Sequence, residues 1–304
     1  MRSAMYALIA PGQGAQLPRM LSPWLRDPHV VDLLRSWSQA ADVDLIRLGT
    51  KASAEEIART ENAQPLLVAQ ALLLRDLLPL TTVRWIMAGH SVGELAAATF
   101  AGALAPEDAV SLARARGMAM ARACSLTPTT MAAIIGGTPE SIVSRLHDLD
   151  LTMANHNGAG QVVAAGLIEN VDRLKQNPPE GAAVRQLAVA GAFHTSYMKP
   201  ARAEFEKAVD HTQFRDAVHP LLSNLDGKLV TNGVEIRERL IAQLTAPVRW
   251  DLCLTTLRTV SPELVVAAPP GRVMAGLMSR HSPDLTVLCV QNPKDLLALS
   301  RAGV

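Results

Sequence analysis

The fold of this chain is decided by residues 83–101, which read VRWIMAGHSVGELAAATFA. The largely apolar run Val83–Ala88 has the length of a buried parallel strand, and the alanine-rich run Glu94–Ala101 favours a helix. Between them lies Gly89-His90-Ser91-Val92-Gly93. A strand-to-helix turn of this kind exposes a serine nucleophile, and the helix N-terminus offers N–H groups to a developing oxyanion. The pentapeptide alone also fits an ordinary glycine-rich turn, so its context is what favours a nucleophile.

Around this turn the chain predicts two kinds of architecture. Segments 1–125 and 191–304 alternate strands with helices, which is typical of one large α/β domain. Segment 126–190 follows the order βαββαβ, the pattern of a ferredoxin-like α+β subdomain, so we expect it to be inserted into the large domain. Its predicted strands are Met131–Ile135, Leu151–Asn155, Gln161–Ala165 and Ala183–Val189, and its predicted helices are Pro139–Leu149 and Ile168–Lys175.

The bulk composition restricts the classes of function. The 304 residues are 49% hydrophobic and 19% charged, and the formal net charge of +1 gives no electrostatic case for nucleic acid or an anionic membrane. The apolar run Met5–Ala10 is too short for the core of a signal peptide, and no run approaches the ~18 apolar residues that span a bilayer. We therefore expect a cytoplasmic protein. Cys124, Cys253 and Cys289 lie far apart and match no metal-binding spacing, so no metal is expected.

A serine nucleophile needs a general base, and His194 is the candidate. It follows the wholly apolar run LAVAGAF at residues 187–193, so its imidazole is expected to emerge at the end of a buried segment. A lone core histidine would give the same pattern. The turn Gly12-Gln13-Gly14 does not match the dinucleotide-binding motif, because Leu17 stands where the third glycine belongs. Its glycines instead predict backbone N–H groups that approach a ligand oxygen, as the second half of an oxyanion hole.

Motifs along nearly the whole chain resemble those of the malonyl-CoA:acyl-carrier-protein transacylase family, the fatty-acid-synthesis relatives of polyketide acyltransferase domains. Segments 154–166 and 247–253 look especially similar to the version found in actinobacteria. One such motif would be weak evidence, whereas seven in family order are specific. They are APGQGAQ (10–16), ENAQPLL (61–67), GHSVGE (89–94), ARARGMAM (113–120), NHNGAGQVVAAG (155–166), VAGAFHT (189–195) and QLTAPVRW (243–250).

The resemblance implies a fold and a catalytic apparatus. The fold would be an α/β-hydrolase-like large domain with a ferredoxin-like insertion, and the active site would lie between them. Ser91 would be acylated by malonyl-CoA, and His194 would activate it without an acidic third residue. A backbone carbonyl, here that of Arg249, would orient the imidazole as an aspartate does elsewhere. The backbone N–H groups of Gln13 and Val92 would form the oxyanion hole.

The resemblance also assigns groups around the acyl unit. Arg116 matches the family's arginine before glycine, and its planar guanidinium can pair with both oxygens of the malonyl carboxylate, although a solvated helix arginine gives the same pattern. Gln64 and Asn157 match polar residues of the family's pocket. Phe193 precedes the base, as in polyketide domains that select malonyl over methylmalonyl units, where a ring would fill the space of an α-methyl group. An ordinary core phenylalanine is the alternative.

The implied reaction moves malonyl from malonyl-CoA to the phosphopantetheine thiol of acyl carrier protein, supplying fatty acid synthesis without a cofactor. Acyl carrier protein is the expected partner, and neither nucleic acid nor membrane is. A serine hydrolase or thioesterase fits the serine turn equally well, but it gains nothing from Arg116 aimed at the acyl tail. A malonyl transferase of a polyketide or malonate decarboxylase system is a further alternative, which the sequence separates poorly.

Overall fold

The computed structural model describes residues 5–301, in which strands and helices alternate along most of the chain. None of the helices in this range is long and apolar enough to cross a membrane. The strands are β1 (Met5–Ala10), β2 (Arg84–Gly89), β3 (Thr129–Gly136), β4 (Thr152–Gly158), β5 (Gln161–Leu167), β6 (Ala182–Gln186), β7 (Leu221–Leu222), β8 (Leu229–Val230), β9 (Leu264–Ala267) and β10 (Val287–Cys289). The α-helices are α1 (Pro28–Ala40), α2 (Leu45–Thr50), α3 (Ala54–Ala58), α4 (Thr60–Leu72), α5 (Gly93–Phe100), α6 (Pro106–Leu126), α7 (Pro139–Asp148), α8 (Ile168–Gln176), α9 (Lys199–Val209), α10 (Gly233–Ala242), α11 (Trp250–Val260), α12 (Arg272–His281) and α13 (Leu296–Arg301).

The larger sheet has the strand order β10-β9-β1-β2-β7-β8, and β8 alone of these six strands runs antiparallel to its neighbour. Its centre is buried on both faces, as a parallel sheet requires. Along β1, Leu8 packs into the apolar cluster that includes α4, α5 and α6, whereas Ile9 packs into the cluster that includes α11 and α12. The chain is therefore an α/β protein, as its sequence predicts.

The smaller sheet is antiparallel, with the strand order β4-β5-β3-β6 and with α7 and α8 on one face. Side chains along β3 point alternately to the two faces of this sheet. Ile134 packs under these helices, whereas Met131 belongs to the large apolar core. The segment before α11 joins the two sheets. The N–H of Val248 donates to the carbonyl of Ala154, and the N–H of His156 donates to the carbonyl of Val248, both at 2.9 Å.

The elements of the smaller sheet follow the predicted order, with bounds within three residues of the predicted ones. The strand β6 ends at Gln186 instead of the predicted Val189, since the N–H of Leu187 makes the last backbone–backbone bond to β3 and the chain then leaves the sheet. Residues 187–190 are exposed or half-buried, and burial begins only at Gly191. The apolar run before His194 is thus buried over its second half alone. Helices α1, α2, α11 and α13 are absent from the sequence-based prediction.

Helix α4 begins at Thr60 and holds Pro65 in its interior. A proline has no N–H for the carbonyl four residues earlier, which is that of Glu61. The guanidinium of Arg114 on α6 donates to this carbonyl instead, at 2.8 Å. Beside it, Gly117 lets the two helices approach, because an added Cβ would lie 2.6 Å from the carbonyl oxygen of Thr60. This arginine and this glycine therefore allow the backbones of α4 and α6 to approach closely.

Gly117→Ala should lower the free energy of unfolding by about 1–3 kcal/mol, since the new methyl group would overlap the backbone of α4 and force it to shift. The matched control is Gly276→Ala in α12, where the added Cβ would meet only the flexible guanidinium of Arg280, at 3.5 Å. That change should be neutral or stabilising by up to ~1 kcal/mol, because alanine is the better helix former. Urea denaturation measures both, and equal effects would contradict the packing argument.

Candidate active site

Ser91 stands at the turn between β2 and α5 with a φ of 53°, in the left-handed region. The space around the turn requires both flanking glycines. A Cβ on Gly89 would lie 2.1 Å from the carbonyl carbon of Gly93, and a Cβ on Gly93 would lie 2.5 Å from the carbonyl oxygen of Ala10. The turn thus packs backbone against backbone at the end of β1. The predicted strand–turn–helix is present, and it places Ser91 just beyond the C-terminal end of β2.

His194 meets Ser91 from the segment before α9, and it also has a left-handed backbone, with a φ of 60°. Its Nε2 lies 2.7 Å from the Oγ of Ser91, and its Nδ1 lies 2.9 Å from the backbone carbonyl oxygen of Gln243. Because a carbonyl can only accept, Nδ1 carries the proton and Nε2 offers its lone pair to the hydroxyl. This arrangement suits a general base that has no acidic third residue.

The carbonyl that orients the imidazole is not that of Arg249, so this prediction is wrong. Arg249 immediately precedes α11, and its carbonyl accepts the N–H groups of Leu252 and Cys253 at the start of that helix. A carbonyl held by the helix is not available to His194. The guanidinium of Arg249 pairs with Asp251 outside the pocket wall. Gln243, six residues earlier in the same motif, provides the carbonyl instead.

Arg116 is buried beside Ser91 on α6, with 2% of its surface exposed. Its guanidinium donates to the side-chain oxygens of Gln64 at 2.9 Å and Gln243 at 2.8 Å, and to the Oγ of Ser91 at 3.3 Å. These three acceptors are neutral, and Arg116 forms no ion pair within the described range 5–301. Burial lowers the pKa of Arg116 to about 10, against the attraction of Glu94. Since buried charges are normally paired, this guanidinium is suited to an anionic group on the nucleophile.

A cavity of about 260 Å³ opens over Ser91 between the two sheets. Most of the predicted site residues line it, namely Gln13, Ser91, Asn157, Phe193 and His194. Arg116 and Gln64 do not line the cavity; they are buried next to the nucleophile. A larger groove of about 790 Å³ lies near the beginnings of β2 and β7, at the opposite end of the sheet, and contains none of the predicted residues.

The N–H groups of Gln13 and Val92, predicted as the oxyanion hole, donate to no acceptor among residues 5–301. Gly12 brings the first of them to the turn, because an added Cβ would lie 2.6 Å from the carbonyl oxygen of His90. The side chain of Gln13 donates to the Oγ1 of Thr60 at 3.3 Å. Both N–H groups are thus free beside the nucleophile, and their role stays a prediction.

Besides Gln243, three further polar residues of the site are missing from the sequence-based prediction. His90 turns into the pocket wall, where its Nε2 lies 3.0 Å from the Oδ1 of Asn157 and burial lowers its pKa. Glu94 is buried and accepts bonds from Asn224 and Gln243. Asn224 in turn holds the backbone of the turn. The GHSVGE motif contains signals for His90 and Glu94, but Asn224 lies 133 residues from Ser91 and has no local signal.

Comparison with known proteins places this arrangement in a family. The sequence profile of the acyl transferase domain matches residues 9–294. The malonyl CoA-acyl carrier protein transacylase of Mycobacterium tuberculosis is 48% identical over 296 residues, which cover 96% of this chain and 98% of that protein. The chain belongs to the malonyl-CoA:acyl-carrier-protein transacylase family.

Two solved structures of transacylases share its fold. The crystal structure of MCAT from Mycobacterium tuberculosis has a TM-score of 0.95 at 48% identity and covers 97% of this chain and 99% of that one. A malonyl-transacylase in complex with a type II PKS acyl-carrier protein has a TM-score of 0.90 at 28% identity and covers 98% of this chain and 100% of that one. The family resemblance inferred from seven motifs is therefore confirmed.

In this transacylase-family site, the pKa of His194 determines the pH range over which Ser91 is expected to be reactive. Burial, and after it the charge of Arg116, lower that pKa to about 3, against the hydrogen bond to Gln243. The imidazole is a base only while it is neutral. The rate at which a fluorophosphonate labels Ser91 should therefore stay constant as the pH is lowered well below ~6.5, the pKa of an ordinary histidine. A rate that halves near pH 6.5 in folded protein would contradict this.

Circular dichroism at each pH is the control for that measurement. A lowered pKa means that the unfolded chain binds the proton of His194 more tightly than the folded chain does. The contribution of His194 to the free energy of unfolding is therefore full above pH ~6.5 and declines as the pH falls from there toward 3. Rates are compared only where the spectrum is that of the native protein.

Proposed function

We propose that this chain transfers malonyl groups from malonyl-CoA to the phosphopantetheine thiol of acyl carrier protein, through a malonyl ester of Ser91, for fatty acid synthesis. The observation that carries the proposal is the guanidinium of Arg116. It is buried, it lies 3.3 Å from the Oγ of Ser91, and its hydrogen-bond acceptors within residues 5–301 are all neutral. An acyl group that ends in a carboxylate would supply the missing anion. Malonyl and acyl carrier protein are the substrate and partner in the names of its relatives.

In the first half-reaction, His194 Nε2 takes the proton of Ser91 as the Oγ attacks the thioester carbonyl of malonyl-CoA. The N–H groups of Gln13 and Val92 stabilise the oxyanion of the tetrahedral intermediate. When this intermediate collapses, the carbon–sulfur bond breaks and the imidazolium returns its proton to the thiolate of CoA. The products are the malonyl ester of Ser91 and free CoA, and His194 is neutral again.

The second half-reaction repeats these steps with the thiol of the carrier protein. His194 takes the thiol proton, the sulfur attacks the ester carbonyl, and the proton passes to the Oγ of Ser91 as the ester bond breaks. The carbonyl of Gln243 holds the same tautomer throughout. Nucleophile, base and anion site all come from side chains, so we propose that the reaction needs no cofactor. The chemistry is also independent of nucleic acid and membrane.

Arg116 argues against a serine hydrolase, the first alternative. An esterase would bury an arginine beside its nucleophile without any anion to bind, and the desolvation of an unpaired charge is unfavourable. The second alternative, a malonyl transferase of a polyketide system, uses the same chemistry. The similarity to a transacylase in complex with a type II PKS acyl-carrier protein supports it as a second candidate. Transfer rates to carrier proteins of the two pathways distinguish them.

We also propose a finer description of the architecture. The largely parallel sheet with its serine at a strand-to-helix turn is α/β-hydrolase-like. Residues 126–190 are the ferredoxin-like insertion, which the order βαββαβ and the central pair β3 and β5 support. The large domain then comprises 1–125 and 191–304. In the pocket, Asn157 would bind the thioester substrates, Gln64 would orient Arg116, and Phe193 would occupy the space of an α-methyl group.

Incubation with radiolabelled malonyl-CoA and mass spectrometry of the peptide that contains Ser91 test the covalent intermediate. Wild-type protein should carry the malonyl group on Ser91, and Ser91→Ala should carry none, because no other hydroxyl among residues 5–301 is hydrogen-bonded to His194. The control is Ser125→Ala, an exposed serine at the end of α6. Covalent label retained by Ser91→Ala would overturn the proposal.

Arg116→Ala should slow malonyl transfer by at least ~100-fold, on the order of 3 kcal/mol, because the carboxylate would be left without its cation in a desolvated site. Acetyl transfer from acetyl-CoA should fall far less, since acetyl has no carboxylate. The matched control is Arg122→Ala on the same helix, whose exposed guanidinium pairs with Glu204. Initial rates with both acyl-CoA substrates measure the ratio, and equal losses would make Arg116 structural.

A further inference from the structure

The left-handed backbone of Ser91 is held by a residue that the mechanism does not use. Asn224 follows β7, the neighbour of β2 in the sheet, and is fully buried. Its Oδ1 accepts the N–H of Ser91 at 2.8 Å, and its Nδ2 donates to the carbonyl oxygen of Gly89 at 2.7 Å. One amide thus binds the backbone on both sides of His90, across the sharpest part of the turn.

The backbone of Asn224 is itself held on both sides. Its backbone N–H donates to the Oε1 of Glu94 at 2.6 Å, and its backbone carbonyl accepts the N–H of Arg249 at 2.7 Å. The second oxygen of Glu94 accepts from the Nε2 of Gln243, which also donates to the carbonyl of Ser91 at 3.0 Å. Both groups that face Glu94 are donors, so each of its two oxygens accepts a hydrogen bond. Burial raises the pKa of Glu94 to about 8, in spite of these hydrogen bonds and the charge of Arg116, which favour the ionised form.

We propose that Asn224 is a positioning residue that keeps Ser91 in the left-handed conformation from which its Oγ reaches His194, and that Glu94 anchors Asn224. Without the two bonds, the backbone of Ser91 is free to relax toward negative φ, where a residue other than glycine is more stable. That rotation would move the Oγ away from Nε2 of His194, now at 2.7 Å. The positioning of Ser91 does not depend on the proposed function; only the claim that the positioned serine transfers malonyl rests on it.

Asn224→Ala removes both bonds and should slow fluorophosphonate labelling of Ser91 by about 10–100-fold, because a displacement of about 1 Å at a reacting group has an effect of that size. In malonyl transfer, kcat should fall by a similar factor, while KM for malonyl-CoA changes little, since Asn224 neither bonds to Arg116 nor lines the cavity. The matched control is Gln70→Ala, another buried amide with one bond to a backbone carbonyl, that of Met20, away from the turn. It should lower the melting temperature and leave the labelling rate unchanged.

Asn224→Asp separates positioning from general destabilisation. The introduced carboxylate keeps an acceptor for the N–H of Ser91 but has no donor for the carbonyl of Gly89. Protonation at low pH supplies an O–H donor and restores both bonds. The labelling rate of Asn224→Asp should therefore rise toward that of the wild type as the pH is lowered, whereas the wild-type rate should not rise. A merely structural role would not produce a rescue of this kind.

The possible outcomes separate this inference from the proposed function. Wild-type labelling rates in Asn224→Ala, a loss no larger than in Gln70→Ala, or an Asn224→Asp variant without rescue at low pH would each overturn the positioning role. If malonyl-CoA fails to acylate wild-type Ser91 while fluorophosphonate labelling still depends on Asn224, the proposed function fails and the positioning role stands. Should Asn224→Ala not fold, the pH dependence of Asn224→Asp decides alone.

Discussion

The backbone between β2 and α5 turns in a space that admits no Cβ at Gly89 or Gly93, and the arrangement of the site follows from this close approach. Gly93 lies against the carbonyls of Ala10 and Pro11, so the turn contacts the end of the neighbouring strand β1. Because parallel strands end at the same edge of a sheet, the segment after β1 must also pass the nucleophile. This contact brings the N–H of Gln13 close to the turn, where the N–H of Val92 also has no acceptor within residues 5–301.

A buried cation, a buried carboxylate and a neutral imidazole coexist beside the turn because Gln243 stands between them. Its backbone carbonyl accepts from Nδ1 of His194, its side-chain oxygen accepts from Arg116, and its Nε2 donates to Glu94. Each neighbour therefore meets the group of Gln243 that complements it. The charge of Arg116 adds to burial in disfavouring the imidazolium, so the cation that would hold an acyl carboxylate also keeps the resting base unprotonated. Bound carboxylate would cancel part of that charge and favour the proton transfer to His194.

The sequence predicts those parts of the fold and site whose physical causes are local. A buried strand, small residues at a sharp turn and a following helix lie within 19 residues, so the sequence alone predicts the turn that contains Ser91. Helix α1 also has a local signal, a cap at Asp27 followed by Pro28, which the prediction does not use. The first turn of α4, before Pro65, has no such signal, because the unpaired carbonyl of Glu61 is satisfied by Arg114 from another helix. The positions of Asn224 and of the orienting carbonyl depend on how distant strands and helices pack, which spacing alone does not reveal.

The error at Arg249 shows how backbone geometry decides between two candidates in one motif. Residues 243–250 contain both Gln243 and Arg249, but α11 begins at Trp250 and takes the carbonyl of the residue before it. The bond to His194 therefore comes from Gln243, in the short helical turn after α10. Between these points, Val248 exchanges backbone hydrogen bonds with β4, the strand that carries Asn157. The same eight residues thus orient the base and dock the wall of the pocket opposite it. Since both connections use backbone groups, side chains lining the cavity can vary to suit the acyl group without disturbing the orientation of His194.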